Sequence, residues 1–233
     1  RDLRMSRGLG DVYKRQDLSK LPIHYIKDVW PNSYFKLTLS SDTLSDYAEG
    51  VISLYEQGFN IASSLAEGQQ WKENDHLIYR IQLEKIAEYF LNHPEKELEH
   101  PFNFLFKEYM DARINDKLPH KNCGCGTTIA MYDTDGTLYP CHLFLPMVHG
   151  NNAVLNEIAD VDFSNPGALV DEQCILCPIL KVCKTCFGYN YSQRGCITNR
   201  DKGMCKLRLV EAQVIAEFQI KYLSLIHISE PTR

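Results

Sequence analysis

The sequence predicts an α/β part followed by an irregular α+β part, and three observations carry that prediction. Two strand-like runs flank one helix-like segment between Tyr34 and Ala66, the pattern of a βαβ unit. All nine cysteines lie between Cys123 and Cys205, so a cysteine-free stretch precedes a cysteine-dense one. A last apolar-periodic stretch after Cys205 reads as a helix.

Taken in order, Tyr34–Ser40 (YFKLTLS) alternates aromatic and aliphatic residues with polar ones, as a half-buried strand does. Leu44, Tyr47, Ala48, Val51, Leu54 and Tyr55 then recur at helical spacing, and Gly58 ends that helix. Phe59–Ala66 reads as a second strand, and so short a crossover predicts parallel neighbours. A helix is expected after Trp71, with Asp75 as its cap. Tyr79, Leu83, Ile86 and Phe90 mark its buried face, and Asn92 and Pro94 its end. Residues 102–112 (FNFLFKEYMDA) predict another helix, buried on most sides, and Leu118–Asn122 a polar linker. Beyond it, Thr127–Tyr132 and Thr137–Tyr139 flank Asp133–Gly136, whose Asp-Gly pair signals a hairpin. Leu207, Val210, Val214, Ile215 and Phe218 give the final helix its apolar face.

The ends read differently. Residues 6–16 (SRGLGDVYKRQ) and 223–233 (LSLIHISEPTR) admit codons that are reverse complements over all eleven positions. That relation marks a sequencing-library adapter translated at both ends, so residues 1–16 and 223–233 are expected to be non-native and are set outside the fold. The expected organisation is then one part over 17–117 and a second over 118–222. Without the six Lys/Arg and three Asp/Glu of those ends, 19 basic residues face 27 acidic ones. Such an excess argues against nucleic acid and anionic membranes as partners, because both need a cationic face. No apolar run reaches the ~20 residues of a membrane span.

Nine thiols on so short a stretch need a reason, and three compete. Disulfides suit a small secreted domain, but an odd count beside an α/β part of cytosolic type argues against them. Zinc suits the pairs Cys174-x2-Cys177 and Cys183-x2-Cys186. Iron–sulfur clusters also take four thiolates each. Spacing alone leaves zinc and iron open. In either case the Asp-Gly turn brings Cys123 and Cys125 toward the end of the hairpin that carries Cys141. The segment has too little apolar mass to hold itself, so metal binding and folding are expected to be one event.

The run CGCGTTIAMYDTDGTLYPC (Cys123–Cys141), then Cys174-x2-Cys177-x5-Cys183-x2-Cys186, then Cys205, resembles the SPASM extension of radical S-adenosylmethionine enzymes. The chain keeps that family's Gly-x4-Cys as Gly136-x4-Cys141, and it keeps the Cys-x2-Cys-x5-Cys core. It departs by placing two residues rather than three between Cys183 and Cys186. That spacing, with CKTCFGYNY (Cys183–Tyr191), is similar to the peptide-maturase branch. Residues 35–115 are loosely similar to the second half of the family's partial (β/α)6 barrel. The resemblance therefore implies half of such a barrel, then a cysteine-rich domain with a β-hairpin and a terminal helix.

What the resemblance implies for the thiols is two auxiliary [4Fe–4S] clusters. The first takes Cys123, Cys125, Cys141 and Cys186, and the second Cys174, Cys177, Cys183 and Cys205. The family's C-G-x-G motif carries only its first cysteine, so Cys125 stands apart; without it the first cluster keeps an iron open to a substrate thiolate or amide. Cys196 is left over. The implied activity is radical modification of a peptide or protein, with a reducing donor such as flavodoxin or ferredoxin, in the cytoplasm. The motif that cleaves S-adenosylmethionine, Cys-x3-Cys-x2-Cys, is missing because no cysteine precedes Cys123. S-adenosylmethionine and its own cluster are thus expected only in a longer parent protein, and this chain is expected to be inactive.

Other residues carry smaller expectations. His142 stands where the sulfatase-maturating branch has an Asp base; a histidine can act as a base near neutral pH. The change puts a ribosomal-peptide maturase ahead of a sulfatase-maturating enzyme. Ser40, Ser41 and Asp42 follow the first strand, where barrel sites gather, as candidate cofactor contacts or as a helix cap. Glu67 and Trp71 follow the second strand as pocket residues or loop packing. Tyr189, Asn190 and Tyr191 are placed to shield a cluster. The rival from another class is a zinc-bearing structural or interaction module without catalysis.

Overall fold

A computed structural model of the chain describes residues 22–31, 34–95, 121, 123–150 and 154–229. It divides into two units, one of residues 1–111 with 206–233 and one of residues 112–205.

In the first unit a short helix, α1 (Ile23–Val29), precedes strand β1 (Tyr34–Leu39). A 3-10 turn (Ser41–Asp46) leads into helix α2 (Tyr47–Glu56), and strand β2 (Asn60–Leu65) follows. The two strands pair in parallel, Tyr34 against Asn60 through Leu39 against Leu65, as the short crossover predicts. Along β1, Phe35, Leu37 and Leu39 are buried while Lys36 and Thr38 are exposed, the period-two pattern of one covered face. Helix α3 (Asp75–Asn92) buries Tyr79, Leu83, Ile86 and Phe90, the four residues expected on that face. It meets α2 through Tyr55 and Phe90, whose rings lie 5.0 Å apart, and through Gln82, whose Oε1 accepts from the Ala48 N–H.

Three expectations need correction here. Asp75 is not the cap of α3. Asn74 takes that position, and Asp75 is the first helical residue, its carboxylate closing the preceding turn by accepting from the Lys72 N–H at 2.7 Å. Thr127 and Thr128 are not in a strand. Gly124 O accepts from the N–H groups of Thr127, Thr128 and Ile129, winding these residues into a turn. A side chain at Gly124 would lie 2.3 Å from Thr128 Oγ1, so this close approach needs glycine. The last helix, α7 (Cys205–Ser229), belongs from Lys206 onward to the first unit, not to the cysteine-rich one. Its Leu207, Val214, Ile215 and Phe218 are buried, and Arg80 of α3 donates to Gln213 and Glu217. Cysteine content divides the sequence; apolar packing divides the fold.

Arg208 of α7 is buried between two carboxylates, with Nη1 2.9 Å from Glu211 Oε2 and Nη2 3.8 Å from Glu67 Oε1. Burial works against its charge, but Glu211 and Glu67 outweigh that cost and hold the guanidinium above its ordinary pKa.

In the second unit the chain from Cys123 folds back through a hairpin of strands β3 (Met131–Tyr132) and β4 (Leu138–Tyr139). Gly136, at φ 83°, lets the Asp133–Gly136 turn close. Two four-residue helices follow, α4 (Pro146–His149) and α5 (Val154–Glu157), and then helix α6 (Phe187–Arg194). Their core gathers Tyr139, Phe144, Val154, Ile158, Phe163, Leu169, Phe187 and Ile197, with Cys125 and Cys141 inside it. The helix expected over 102–112, the linker apart from Lys121, and residues 1–16 lie outside the described residues. Residues 223–229 continue α7. No helix among the described residues is long and apolar enough to cross a membrane.

Candidate metal centre

None of the nine cysteines is in a disulfide. Cys125 and Cys141 meet in the core of the second unit, Cys125 on the turn made by Gly124 and Cys141 where β4 passes into the 3-10 turn His142–Phe144. The Cys125 S–H donates to the Cys141 sulfur. That bond, then burial, then the nearness of Cys141 and Cys123 push the Cys125 thiol far up. The same bond, against burial and with help from the N–H groups of Leu143 and Phe144, draws Cys141 down to about 6. Cys123 joins them, its sulfur accepting from the Cys125 N–H at 3.4 Å. Three of the four thiols expected in the first set therefore lie together.

The second set assembles from two similar turns. Asp171 caps the 3-10 turn Glu172–Cys174, accepting from the Gln173 N–H, and Asp201 caps the turn Lys202–Met204, accepting from the Gly203 N–H. Each turn delivers a cysteine at its end, Cys174 and Cys205. Partial burial of its sulfur and the neighbouring Cys174 raise the Cys205 thiol, Lys202 opposes this, and Cys177 adds to it. Cys174 and Cys177 therefore lie within electrostatic reach of Cys205. Cys183 and Cys186 are placed through their backbones. Cys183 O accepts from Arg200 Nη1 at 3.0 Å, and Cys186 is the N-cap residue of α6, its carbonyl accepting from the Asn190 N–H. Among the described residues no group of three or more His, Cys, Asp or Glu side chains is arranged to hold a metal ion.

Cys196, the thiol left over, is exposed. Hydrogen bonds from the Thr198 hydroxyl and from the N–H groups of Thr198 and Asn199 hold it below the usual thiol range. His142 is exposed beside Cys141. Tyr191 packs against the core at 5.7 Å from the Phe144 ring and donates to Glu157, while Asn190 is fully buried and donates to Ile197 O. In the first unit Ser40 caps the 3-10 turn reciprocally with Thr43, its N–H donating to Thr43 Oγ1 at 2.9 Å. Asp42 pairs with Lys72 at 3.5 Å, and Glu67 faces Arg208. Ser41 Oγ and Trp71 Nε1 are buried without a hydrogen-bond partner.

Three residues that sequence reasoning passed over stand at the second set. Asp171 Oδ2 lies 2.5 Å from Lys202 Nζ and accepts from the Arg200 N–H. Lys202 Nζ lies 3.8 Å from Cys174 Sγ. Arg200 is buried, and its Nε has no hydrogen-bond partner. The signal was present as opposite charges three residues ahead of two cysteines, Asp171 before Cys174 and Lys202 before Cys205.

Comparison with the models of known families gives no match, and comparison with curated proteins gives none either.

Proposed function

We propose that this chain is the auxiliary-cluster part of a radical S-adenosylmethionine enzyme that modifies a peptide, with Cys123, Cys125, Cys141 and Cys186 holding one [4Fe–4S] cluster and Cys174, Cys177, Cys183 and Cys205 a second. The observation that carries this reading is the ordered spacing of the cysteines, supported by Cys125 and Cys141 sharing one core with Cys123 bonded to the Cys125 N–H, and by the electrostatic reach of Cys174 and Cys177 to Cys205. A zinc ion bound at ~2.3 Å in a tetrahedron needs its sulfurs ~3.8 Å apart. A four-iron cube takes one cysteine at each iron corner and so accepts wider sets.

Bound clusters would supply electron relay or a site for a substrate thiolate or amide. The chain's own residues do the rest: Phe144, Phe163 and Tyr191 exclude water beside the first set, and Asp171 and Asp201 shape the turns that present Cys174 and Cys205. His142, exposed next to Cys141, is the proposed base. The peptide substrate, a flavodoxin- or ferredoxin-like donor and a cytoplasmic setting belong to the same proposal, as does S-adenosylmethionine in a longer parent carrying the Cys-x3-Cys-x2-Cys motif.

Anaerobic reconstitution followed by iron, sulfide and zinc analysis tests it. The expected result is a brown protein with about eight irons and matching sulfide. A colourless protein holding about two zinc ions would replace the reading with that of a zinc-bearing module.

A further inference from the structure

We propose that Lys202 is a positioning residue for the group held by Cys174, Cys177, Cys183 and Cys205, aiming a charged N–H at the Cys174 sulfur so that this group accepts an electron more readily. The inference rests on the cluster reading above. A lysine ammonium on a flexible stem ordinarily samples many positions, which is why exposed ion pairs contribute little. Lys202 is tied down instead. Its Nζ lies 2.5 Å from Asp171 Oδ2 and 3.8 Å from Cys174 Sγ. The carboxylate that holds it is itself fixed, accepting from the Gln173 N–H at 2.9 Å and the Arg200 N–H at 3.0 Å.

Arg200 is a second cation, tied to the same Asp171 through its N–H. It donates through Nη1 to the Cys183 carbonyl at 3.0 Å and keeps one buried donor, Nε, with no partner. Lys202 and Arg200 are thus two cations joined to Asp171, Asp201 is a second carboxylate whose charge reaches Cys205, and the Cys174 sulfur that Lys202 faces is a thiolate whenever it binds metal. Hydrogen bonds to the sulfurs and net local charge set the potential of such a group, and a charged donor is stronger than a neutral one. Lys202 supplies both. In the assay the electron comes from an electrode, and no bond to the protein forms or breaks.

The test compares the reconstituted full chain with K202M, K202Q and K202R by iron and sulfide analysis and by voltammetry. The expected result is unchanged iron in all four proteins, with one of two reduction waves moved to lower potential in K202M. That wave moves less in K202Q and stays in place in K202R, while the other wave stays in place throughout. Should K202M fail to fold, K202Q carries the comparison. Two unmoved waves at full iron content would overturn the inference and leave the cluster reading standing. So would an equal shift in K202M and K202R, which assigns the effect to packing. A wild-type chain that binds no iron would overturn both.

Discussion

Replacing Glu211 with Ala is expected to cost the first unit about 3 kcal/mol. The Arg208 side chain is 9% exposed, and Glu211 Oε2, at 2.9 Å from Nη1, is its nearer carboxylate. A hydrogen bond to a charged group contributes ~1.5–3 kcal/mol, and breaking a buried ion pair from one side costs ~3–5 kcal/mol. Glu67 remains at 3.8 Å to offset part of the charge, which places the loss near the lower end of the second range. The matched control is Glu84→Ala. Arg80 Nε lies 2.7 Å from Glu84, closer than in the buried pair, yet these side chains are 32% and 47% exposed. Water screens that pair, so its removal is expected to cost under ~0.5 kcal/mol. Both tryptophans, Trp30 and Trp71, lie in the first unit, so urea unfolding followed by their fluorescence reads that unit alone. A loss below ~1 kcal/mol for Glu211→Ala, or equal losses for the two variants, would refute the reasoning that burial and not distance decides.

Further outcomes concern the second unit. Burial works to raise the Asp171 carboxyl, but Lys202, the Arg200 N–H and the Gln173 N–H outweigh it and hold it below its ordinary value. A lowered folded pKa means stability that is complete above about pH 5 and lost as pH falls below about 4. Hydrogen exchange at the Arg200 amide is therefore expected to be slower in the wild type than in Asp171→Asn at pH 6, with the difference closing toward pH 3. Gly188→Ala would put a Cβ 2.4 Å from Leu143 Cβ, where α6 packs on the turn after Cys141. It is expected to cost ~1–3 kcal/mol, read as a lower melting temperature. In the metal-free chain Cys196, exposed and held below the usual thiol range, is expected to be alkylated first, and Cys125, buried and pushed up, last. Mass spectrometry of partly alkylated protein checks the order.

Much of the first unit was legible because its pattern is local. The alternation in β1, the helical spacing of α2 and α3, and the brevity of the crossover each follow from side-chain period and chain reach, so the elements and the parallel pairing could be read directly. Boundaries set by backbone bonding could not. Asp75 has the chemistry of a cap, but the bond it makes runs backwards to Lys72, and only the fold of residues 72–75 decides that. Thr127 and Thr128 have strand propensity, yet three N–H groups converging on Gly124 O override it.

The order and spacing of the cysteines, through their resemblance to the SPASM extension, nominated the candidate ligands. They also divided the chain at the onset of the cysteines. Tertiary structure decided what surrounds those thiols and where the last helix belongs. Lys202 reaches Asp171 and Cys174 only after two separate turns come side by side, and Arg208 finds Glu67 only once α7 lies in the first unit. Contacts between residues far apart in sequence carry no local period. Burial and charge pairing create them, and these exist only in the folded chain.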